Sequence, residues 1–391
     1  MIGQKLPEVQ EFLREAGIDG WLLYDFRGTN PFAARVFGYG GNLLTRRWFL
    51  WIPARGEPQV LVHDIEFGSF PRVGYALHKY NSRQTLSQEL RKLLAGAKRV
   101  AMEYSPNGNI PYVSRVDGGT LELIRSLGVE VVSSGDVLQL FLSWTPGQLA
   151  NHRKAAEVLA QCKDAALALI SQYIARREPL DEYQLQQYMN RFIKEQGMDP
   201  DHPPIVGFGP GAGDPHYVPS ATRSKTLEPG DAILMDLWCK VPGDNPFADI
   251  TWMAFYGSPT PEFLRAFKTV LAARDAGVEL LRSRLSAGQA VRGNEVDRVV
   301  REVLIGAGYE ANLKHRTGHS LGIQAVHGEA AHFDDFETLD ERAVLPGLGF
   351  TIEPGVYFPE YGVRSEINVY STARGIEITT ARQTELDVLG H

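Results

Sequence analysis

Two pairs of carboxylate residues with the same spacing constrain this chain more than any other feature of its sequence. Asp236 and Asp249 are separated by the same number of residues as Glu353 and Glu366, and each pair flanks a segment of turn-forming residues, "VPGDNP" and "FPEYG". A hairpin folded at the centre of each segment would place the two acids of a pair opposite each other, with Cβ atoms roughly 5 Å apart. The sequence therefore predicts two antiparallel strand pairs, each with two facing carboxylates.

Facing carboxylates are unfavourable unless something neutralises them. Like charges opposite each other destabilise a sheet, and the aspartates lie in the apolar segments "AILMDLW" and "FADITWM", where an ionised group needs a partner. No lysine or arginine recurs beside both pairs. Two divalent ions would balance four carboxylates, and carboxylate oxygens joined by one imidazole, from His319, suit Mn, Zn, Co or Fe. The pattern thus predicts a metal site.

Each of these residues, taken singly, has an ordinary explanation. Either aspartate could be a surface or strand-end residue, Glu353 could belong to a turn with Pro354 and Gly355, and Glu366 could pair with Arg364. A lone His319 would more often be a structural histidine. The matched spacing and the matched turns together favour the metal interpretation.

Helix and strand signals repeat in the same order around these acids. Two helical segments precede each strand pair, and this order suggests an internal duplication. The predicted helices are 147–175, 182–196, 261–286 and 293–307, and the predicted strands are 231–240, 247–257, 349–358 and 362–372.

The first 140 or so residues have a different organisation. Strand signals such as "GWLLY", "RWFLWIP" and "PQVLVH" alternate with helix signals such as "VQEFLREAG" and "TLSQELRKLLAG", and this alternation predicts an α/β domain. Thr145-Pro146 is a typical helix start, with proline in the first turn. We therefore expect domains at 1–145 and 146–391, with one continuous domain as the alternative.

Composition excludes several classes of partner. With 43% hydrophobic and 22% charged residues the chain is an ordinary globular protein. Its net charge of −7 and the absence of basic runs argue against nucleic-acid and membrane partners. Cys162 and Cys239 provide no disulfide framework, and the first residues do not resemble a secretory signal, so we expect a cytoplasmic location.

One motif favours a different chemistry. Gly318-His319-Ser320-Leu321-Gly322 matches the G-x-S-x-G elbow of serine hydrolases. That elbow needs a strand before the serine and a helix after it, whereas "EANLKHRT" is not an apolar strand and "GEAA" is a poor helix start. A serine hydrolase that uses Ser320 is therefore a weaker alternative.

The motifs "MDLW", "FADIT", "HRTGHSLG", "TIEPG" and "GVRSEIN" together resemble the pita-bread metallopeptidases, in the branch of prolidase and aminopeptidase P. The resemblance covers residues 150–391 in detail, and residues 1–145 resemble the creatinase-like N-terminal domain of that branch. It implies an α/β N-terminal domain followed by an α+β catalytic domain, built on a pseudo-two-fold antiparallel sheet flanked by helices.

The resemblance also implies metal-binding roles. Asp249 and Glu366 would bridge two divalent ions, Zn or Mn with Co as a further option. Asp236 would bind one ion, and His319 and Glu353 the other. A bridging hydroxide would be the nucleophile, and Glu353 would also carry a proton to the leaving proline nitrogen.

Four more residues match functional positions of the branch. His216 and His327 would donate hydrogen bonds to the substrate carbonyl and to the oxyanion. His315 matches an additional histidine of Xaa-Pro enzymes, and Arg364 would brace the acidic cluster.

The implied activity is hydrolysis of Xaa-Pro dipeptides by a homodimeric enzyme, but the chain departs from the family pattern. The aspartates are two residues further apart than usual, and no arginine occupies the position that clamps the substrate carboxylate in prolidases. Arg342 matches a more general family arginine instead. Selectivity must then come from elsewhere, and an aminopeptidase P that acts on longer peptides remains an alternative, as does a metal-free binding protein on the same fold.

Overall fold

The computed structural model describes residues 2–38, 44–71 and 74–390. The chain divides into two compact units, Met1–Leu142 and Ser143–His391, and each unit is described by itself. None of the described helices is long and apolar enough to cross a lipid bilayer.

The N-terminal unit is built on one mixed sheet. Its strands are β1 Gly20–Asp25, β2 Trp48–Pro53, β3 Gln59–His63, β4 Ala76–Tyr80, β5 Arg99–Met102 and β6 Glu130–Ser133. Their order across the sheet is β4-β3-β2-β1-β5-β6. The sequence does not predict β4, because this edge strand is mostly accessible to solvent and lacks an apolar run.

Helices cover both faces of this sheet. The helices are α1 Ile2–Glu15, α2 Pro31–Phe37, α3 Arg83–Leu93, α4 Gly118–Arg125 and α5 Gly135–Gln139. Side chains alternate along β1, so that Trp21 and Leu23 pack with α1, α2 and α5, whereas Leu22 and Tyr24 pack with α3 and α4. The unit is therefore the α/β layer structure that the sequence predicts.

Four long helices of the C-terminal unit match the sequence prediction to within one residue at each end. They are α6 Pro146–Arg176, α7 Glu182–Glu195, α8 Pro261–Ser286 and α9 Gly293–Gly306. Thr145 caps α6 by accepting a hydrogen bond from the Gln148 backbone N–H, and Pro146 occupies the first turn, as predicted.

The strands of this unit form three sheets. The described strands are β7 Ile205–Phe208, β8 Ala232–Cys239, β9 Ala248–Tyr256, β10 Gly349–Ile352, β11 Gly355–Tyr357, β12 Gly362–Arg364, β13 Ile367–Thr372, β14 Gly375–Ile378 and β15 Asp387–Leu389. They are ordered β15-β9-β8-β7, β10-β13-β14 and β11-β12. Pairing is antiparallel except between β9 and the edge strand β15, which run parallel.

Successive side chains of β8 point to opposite faces of its sheet, and Asp236 lies on the face opposite to the cluster formed with α6 and α7. Ile233, Met235 and Leu237 pack in the cluster formed with α6 and α7. The intervening residues face the other side of the sheet, where Leu234 packs in the cluster with α8 and α9. Asp236 is the next residue on that second face, and its carboxylate lies at the edge of the apolar cluster that contains Leu234.

The register of the first hairpin differs from the prediction. Asp236 lies opposite Thr251 and Asp249 lies opposite Trp238, so the predicted direct opposition of the aspartates is wrong by two residues. The hairpin is centred between Gly243 and Asp244, one residue beyond the predicted centre, and Asn245 holds this loop by donating to the Val241 and Pro242 carbonyls. Both aspartates still project from the same face, because a shift of two residues preserves the alternation.

The second hairpin has the predicted register. Ile352 pairs with Ile367 and Gly355 with Arg364, and the same register across the gap places Glu353 opposite Glu366. Each predicted strand is divided into two shorter strands at this point. The two glutamates therefore lie in the gap between the β10–β13 pair and the β11–β12 pair.

Candidate metal centre and active site

A buried cluster of one imidazole and two carboxylates lies where the two hairpins meet. Asp249, His319 and Glu366 each place one potential ligand atom within 4.8 Å of the others. Asp249 Oδ1 and Glu366 Oε1 are buried and accept no hydrogen bond from the described residues. Since buried carboxylate oxygens are rarely left unsatisfied, this donor set fits a divalent cation.

His319 is oriented as a metal ligand should be. Its Nδ1 donates to the Ser320 carbonyl at 2.9 Å, which leaves the Nε2 lone pair available. That Nε2 lies 3.7 Å from Asp249 Oδ2 and 3.4 Å from Glu353 Oε1. Burial, and then the neighbouring His327, lowers the pKa of His319 well below its usual value. The ring is therefore neutral, as ligation requires.

The carboxylates are crowded enough to resist ionisation. Burial raises the pKa of Asp249 well above its usual value, and the charges of Asp236 and Glu353 raise it further. Burial raises the pKa of Glu353 to about 7, although Arg364 opposes the shift. The pKa of Glu366 is also raised, by burial and then by Asp249. A cation among these groups would reverse the effect.

Arg364 connects the two hairpins. Its Nη2 donates to Asp236 Oδ2 at 2.5 Å and its Nε to Thr251 Oγ1 at 2.9 Å. Thr251 in turn donates to Glu366 Oε2 at 2.8 Å, and Arg364 Nη1 donates to the Tyr357 hydroxyl at 3.3 Å. The guanidinium therefore links one carboxylate of each pair, Asp236 directly and Glu366 through Thr251.

His315 extends this network away from the carboxylates. Its Nδ1 donates to the Arg316 carbonyl at 2.7 Å, so its Nε2 accepts from the Tyr357 hydroxyl at 2.7 Å. Burial, and then Arg364, lowers the pKa of His315 to about 3. This neutral histidine fixes the direction of the hydrogen bonds that reach Arg364.

A cavity of 540 Å³ opens above the cluster. His327 lines it, with its ring centroid 4.1 Å from that of His319, and burial followed by the Arg316 charge lowers its pKa to about 4. His216 also lines the cavity but is exposed. Of the nine residues predicted for the site, eight line this cavity and Glu366 belongs to the buried cluster beside it.

Ser320 does not have the surroundings of a nucleophile. It is buried, and its Oγ donates to the Ala330 carbonyl at 3.2 Å rather than to a histidine. A Cβ at Gly318 would lie 2.2 Å from the Thr351 carbonyl oxygen. The glycine therefore permits the close backbone approach that brings His319 to the strands.

Sequence reasoning missed four residues of the site. Thr251 is two residues after Asp249, and Trp238 is two residues after Asp236. Strand alternation therefore predicts that each lies on the same face as the aspartate before it. Arg316 and Tyr357 gave no comparable signal, because their neighbours depend on how loops and short strands meet.

Comparison with known proteins supports this architecture. Residues 150–373 match metallopeptidase family M24. Dipeptidase PepE from Mycobacterium ulcerans is 25% identical in sequence, with a TM-score of 0.68 over 99% of this chain and 97% of that chain. Xaa-Pro dipeptidase from Bacillus anthracis is 21% identical, with a TM-score of 0.61 over 100% of both chains. An uncharacterized peptidase of Staphylococcus epidermidis is 24% identical over 96% of this chain and 98% of its own length.

These matches confirm the predicted fold class, an α/β N-terminal unit followed by a pita-bread unit of sheets and flanking helices. The family consists of divalent-metal enzymes, and the buried imidazole–carboxylate cluster is the kind of group that such enzymes need. The matched residues span more than half of the chain and include every predicted ligand, so the chain belongs to metallopeptidase family M24.

Proposed function

We propose that this metallopeptidase is an Xaa-Pro dipeptidase that uses two divalent ions, Zn or Mn. The ligands would be Asp236, Asp249, His319, Glu353 and Glu366, with Asp249 and Glu366 shared between the ions. The observation that carries the proposal is the pair of buried, unsatisfied carboxylate oxygens beside the His319 Nε2 at the floor of the cavity. The similarity to two dipeptidases adds support.

Divalent ions bound there would lower the pKa of a water molecule and polarise the scissile carbonyl. Glu353 would carry a proton to the leaving nitrogen of proline. This nitrogen belongs to a tertiary amide and has no hydrogen of its own, so it must be protonated as the bond breaks. The Thr351 hydroxyl donates to Glu353 Oε1 at 3.0 Å and thereby orients the carboxylate.

His327 would stabilise the oxyanion. Arg316 Nη2 donates to His327 Nδ1 at 3.4 Å. A neutral ring that accepts at Nδ1 carries its hydrogen on Nε2, so Nε2 can donate to the substrate carbonyl oxygen. His216, at the exposed side of the cavity, would provide a second donor.

The decisive experiment compares Ala-Pro with a longer X-Pro-Y peptide, after chelation and after addition of Mn, Zn or Co. We expect hydrolysis of Ala-Pro that EDTA abolishes and metal restores. Cleavage of the longer peptide alone would identify an aminopeptidase P. Activity that survives chelation but not a serine-directed reagent would identify a serine hydrolase. Absence of bound metal, together with no peptidase activity after addition of Mn or Zn, would favour a metal-free binding protein on the same fold.

We also propose that residues 1–145 and 146–391 act as the N-terminal and catalytic domains of a homodimer. The family resemblance supports this assembly, and sedimentation equilibrium tests it. A monomer at micromolar concentration would contradict it.

A further inference from the structure

The cavity above the metal cluster has an apolar part that the hydrolytic chemistry does not use. Most of the side chains that line the cavity are polar or charged. The apolar ones among the described residues are Ile205, Pro215, Trp238 and Val326. Trp238 has the largest side chain of the four, and it is neither a proposed metal ligand nor a proposed proton donor.

Trp238 lies beside the carboxylates, on the face of β8 that carries Asp236. These two residues of the strand are only partly buried, and Trp238 pairs with Asp249 across the hairpin. Directly opposed residues have Cβ atoms roughly 5 Å apart. Ile205 of β7 pairs with Asp236 from the other side. One aromatic and one branched side chain therefore flank the two aspartates.

The Trp238 indole contributes apolar surface rather than a hydrogen bond. Its Nε1 is buried and has no hydrogen-bond partner among the described residues, although a buried tryptophan N–H usually finds one. The side chain nevertheless lines the cavity. What it presents to a bound substrate is therefore the apolar surface of its ring.

Val326 reaches the cavity from a loop that packs against the same hairpin. Lys240 is two residues after Trp238, and its Nζ donates to the Ile323 carbonyl at 2.6 Å. The backbone N–H of Phe247, on the other strand of the hairpin, donates to the preceding carbonyl of that loop at 3.0 Å. These bonds hold the loop that contains Val326 beside the end of the hairpin that contains Trp238.

Trp238 and Glu353 lie on opposite sides of Asp249 in the order of the strands. β8, which carries Trp238, pairs with β9, which carries Asp249. The Asp249 backbone N–H donates to Asn368 Oδ1 of β13 at 2.9 Å, and Asn368 Nδ2 donates to the Asp249 carbonyl at 2.8 Å. On its other side β13 pairs with β10, the strand that ends just before Glu353. The apolar residues and the proposed proton carrier are therefore separated by the carboxylates that would be shared between the ions.

This separation indicates which part of the substrate meets the apolar residues. Glu353 would protonate the proline nitrogen, so the proline ring would extend from the scissile carbonyl towards the second hairpin. The residue before proline is attached to the other side of that carbonyl and would extend towards β8 and β7. Its side chain would then contact Trp238 and Ile205.

We propose that Trp238, Ile205 and Val326 form the subsite for the residue before proline and select substrates in which that residue is large and apolar. The inference rests on the proposed Xaa-Pro peptidase function and adds a class of substrate to it. An aliphatic side chain would leave water by covering the indole ring. A charged side chain would lose hydration there without gaining a partner from these three residues.

The test measures kcat/KM for Leu-Pro and for Ala-Pro, which differ only in the apolar size of the residue before proline. We expect the wild type to prefer Leu-Pro by on the order of 10-fold, because the leucine side chain covers more of the apolar surface. Trp238→Ala should reduce this preference to below about threefold, mainly through a loss on Leu-Pro, and should bind as much metal as the wild type. Trp238→Phe keeps an aromatic ring and should keep most of the preference.

Phe336→Ala is the matched control for the loss of an aromatic ring. Phe336 is an exposed aromatic residue of the same unit and is not among the described residues that line the cavity. The control should therefore keep the wild-type preference for Leu-Pro.

The ratio of the two substrates distinguishes recognition from a merely structural effect. Equal losses on both substrates in Trp238→Ala would mean that Trp238 only supports the carboxylates or the fold, and would overturn the proposal. A preference that Phe336→Ala also loses would overturn it as well. If Trp238→Ala does not fold, by circular dichroism and metal content, Val326→Ala decides: it should at least halve the preference, and an unchanged preference overturns the proposal. A wild type that cleaves both dipeptides equally refutes the subsite alone, whereas one that cleaves no Xaa-Pro substrate refutes the proposed function.

Discussion

Two buried carboxylate sites, one in each unit, differ in how their oxygens are satisfied. In the N-terminal unit, Glu103 is completely buried and both of its oxygens are satisfied. Oε1 accepts from Trp21 Nε1 at 2.6 Å and from Ser134 Oγ at 3.0 Å, and Oε2 accepts from Asn30 Nδ2 at 2.7 Å. In the catalytic unit, Asp249 and Glu366 each keep one buried oxygen that no described residue satisfies.

This difference distinguishes a carboxylate that protein donors satisfy from carboxylates whose surroundings fit a cation. Burial raises the pKa in both units, and it raises that of Glu103 to about 7. Side-chain donors surround the Glu103 carboxylate, however, whereas further carboxylates surround Asp249. We therefore expect the loss of Glu103 to affect stability, and the loss of Asp249 or Glu366 to affect metal binding and turnover.

The largest expected effect is that of neutralising Asp249 or Glu366, the carboxylates that we propose are shared between two ions. Asp249→Asn and Glu366→Gln should lower kcat/KM for Ala-Pro by on the order of 1000-fold or more, because each removes an anionic ligand. In the presence of chelator, both variants should unfold at a temperature a few degrees above that of the wild type, because the repulsion among buried acids is relieved. Steady-state kinetics, metal analysis and calorimetry measure these three quantities.

Glu377→Gln is the matched control, because Glu377 forms an exposed ion pair with Arg153 in the same unit. It should leave both activity and metal content near wild type. Chelated Asp249→Asn and Glu366→Gln proteins that unfold below the wild-type temperature would show that these acids stabilise the fold, and would remove the contrast with Glu103.

The next largest effect concerns two buried histidines of the catalytic unit. His319→Ala should lower turnover at least about 100-fold and reduce the bound metal, because Nε2 points at the carboxylates. In His152, by contrast, both ring nitrogens form hydrogen bonds within the protein. Nδ1 donates to the Phe247 carbonyl at 2.8 Å, and Nε2 lies 2.7 Å from Thr379 Oγ1. His152→Ala should lower stability but keep the turnover of the folded fraction. A larger catalytic loss in His152→Ala than in His319→Ala would contradict this division.

Local signals predicted much of the fold. Thr145-Pro146 starts α6, and the four long helices of the catalytic unit lie where the apolar periodicity places them. The matched spacing also predicted the opposition of Glu353 and Glu366. These features depend on short stretches of sequence, in which caps, turns and alternation determine the backbone directly.

Features that depend on packing between distant segments were not predictable. Alternation determines which face the aspartates occupy but not their stagger, because a shift of two residues leaves Ile233, Met235 and Leu237 facing α6 and α7. The stagger depends on the conformation of the loop 241–245, which the sequence pattern does not reveal. Arg316 reaches the cavity wall through contacts with residues 334–338, which no pattern around position 316 reveals.

A smaller effect, confined to stability, is expected from the titration of Glu103. Its folded pKa of about 7 lies above the value of 4.5 for a free glutamate, so the folded state favours the protonated acid. The wild-type free energy of unfolding should therefore fall by about 3 kcal/mol as pH rises from 4.5 to 7. Glu103→Gln cannot ionise and should lack this component. Urea unfolding at several pH values measures the difference between the two slopes.

Glu122→Gln is the control for this experiment, because Glu122 is exposed in α4 of the same unit. It should keep the wild-type pH dependence, and neither variant should change kcat/KM per folded molecule by more than about twofold. Identical pH slopes for Glu103→Gln and the wild type would show that Glu103 ionises alike in the folded and unfolded states.

The smallest effect is expected at Ser320, a satisfied polar group located inside the catalytic unit. Its backbone carbonyl orients His319, and its Oγ donates to the Ala330 carbonyl. Ser320→Ala keeps the backbone group and loses only the hydroxyl, so stability should fall by about 1 kcal/mol while turnover stays within about twofold of wild type. Kinetics and urea unfolding of the one variant measure both quantities. If Ser320→Ala lowered turnover as much as His319→Ala, the hydroxyl would take part in catalysis. A polar group whose hydrogen bonds are satisfied within the protein could then not be assumed to be structural in this unit.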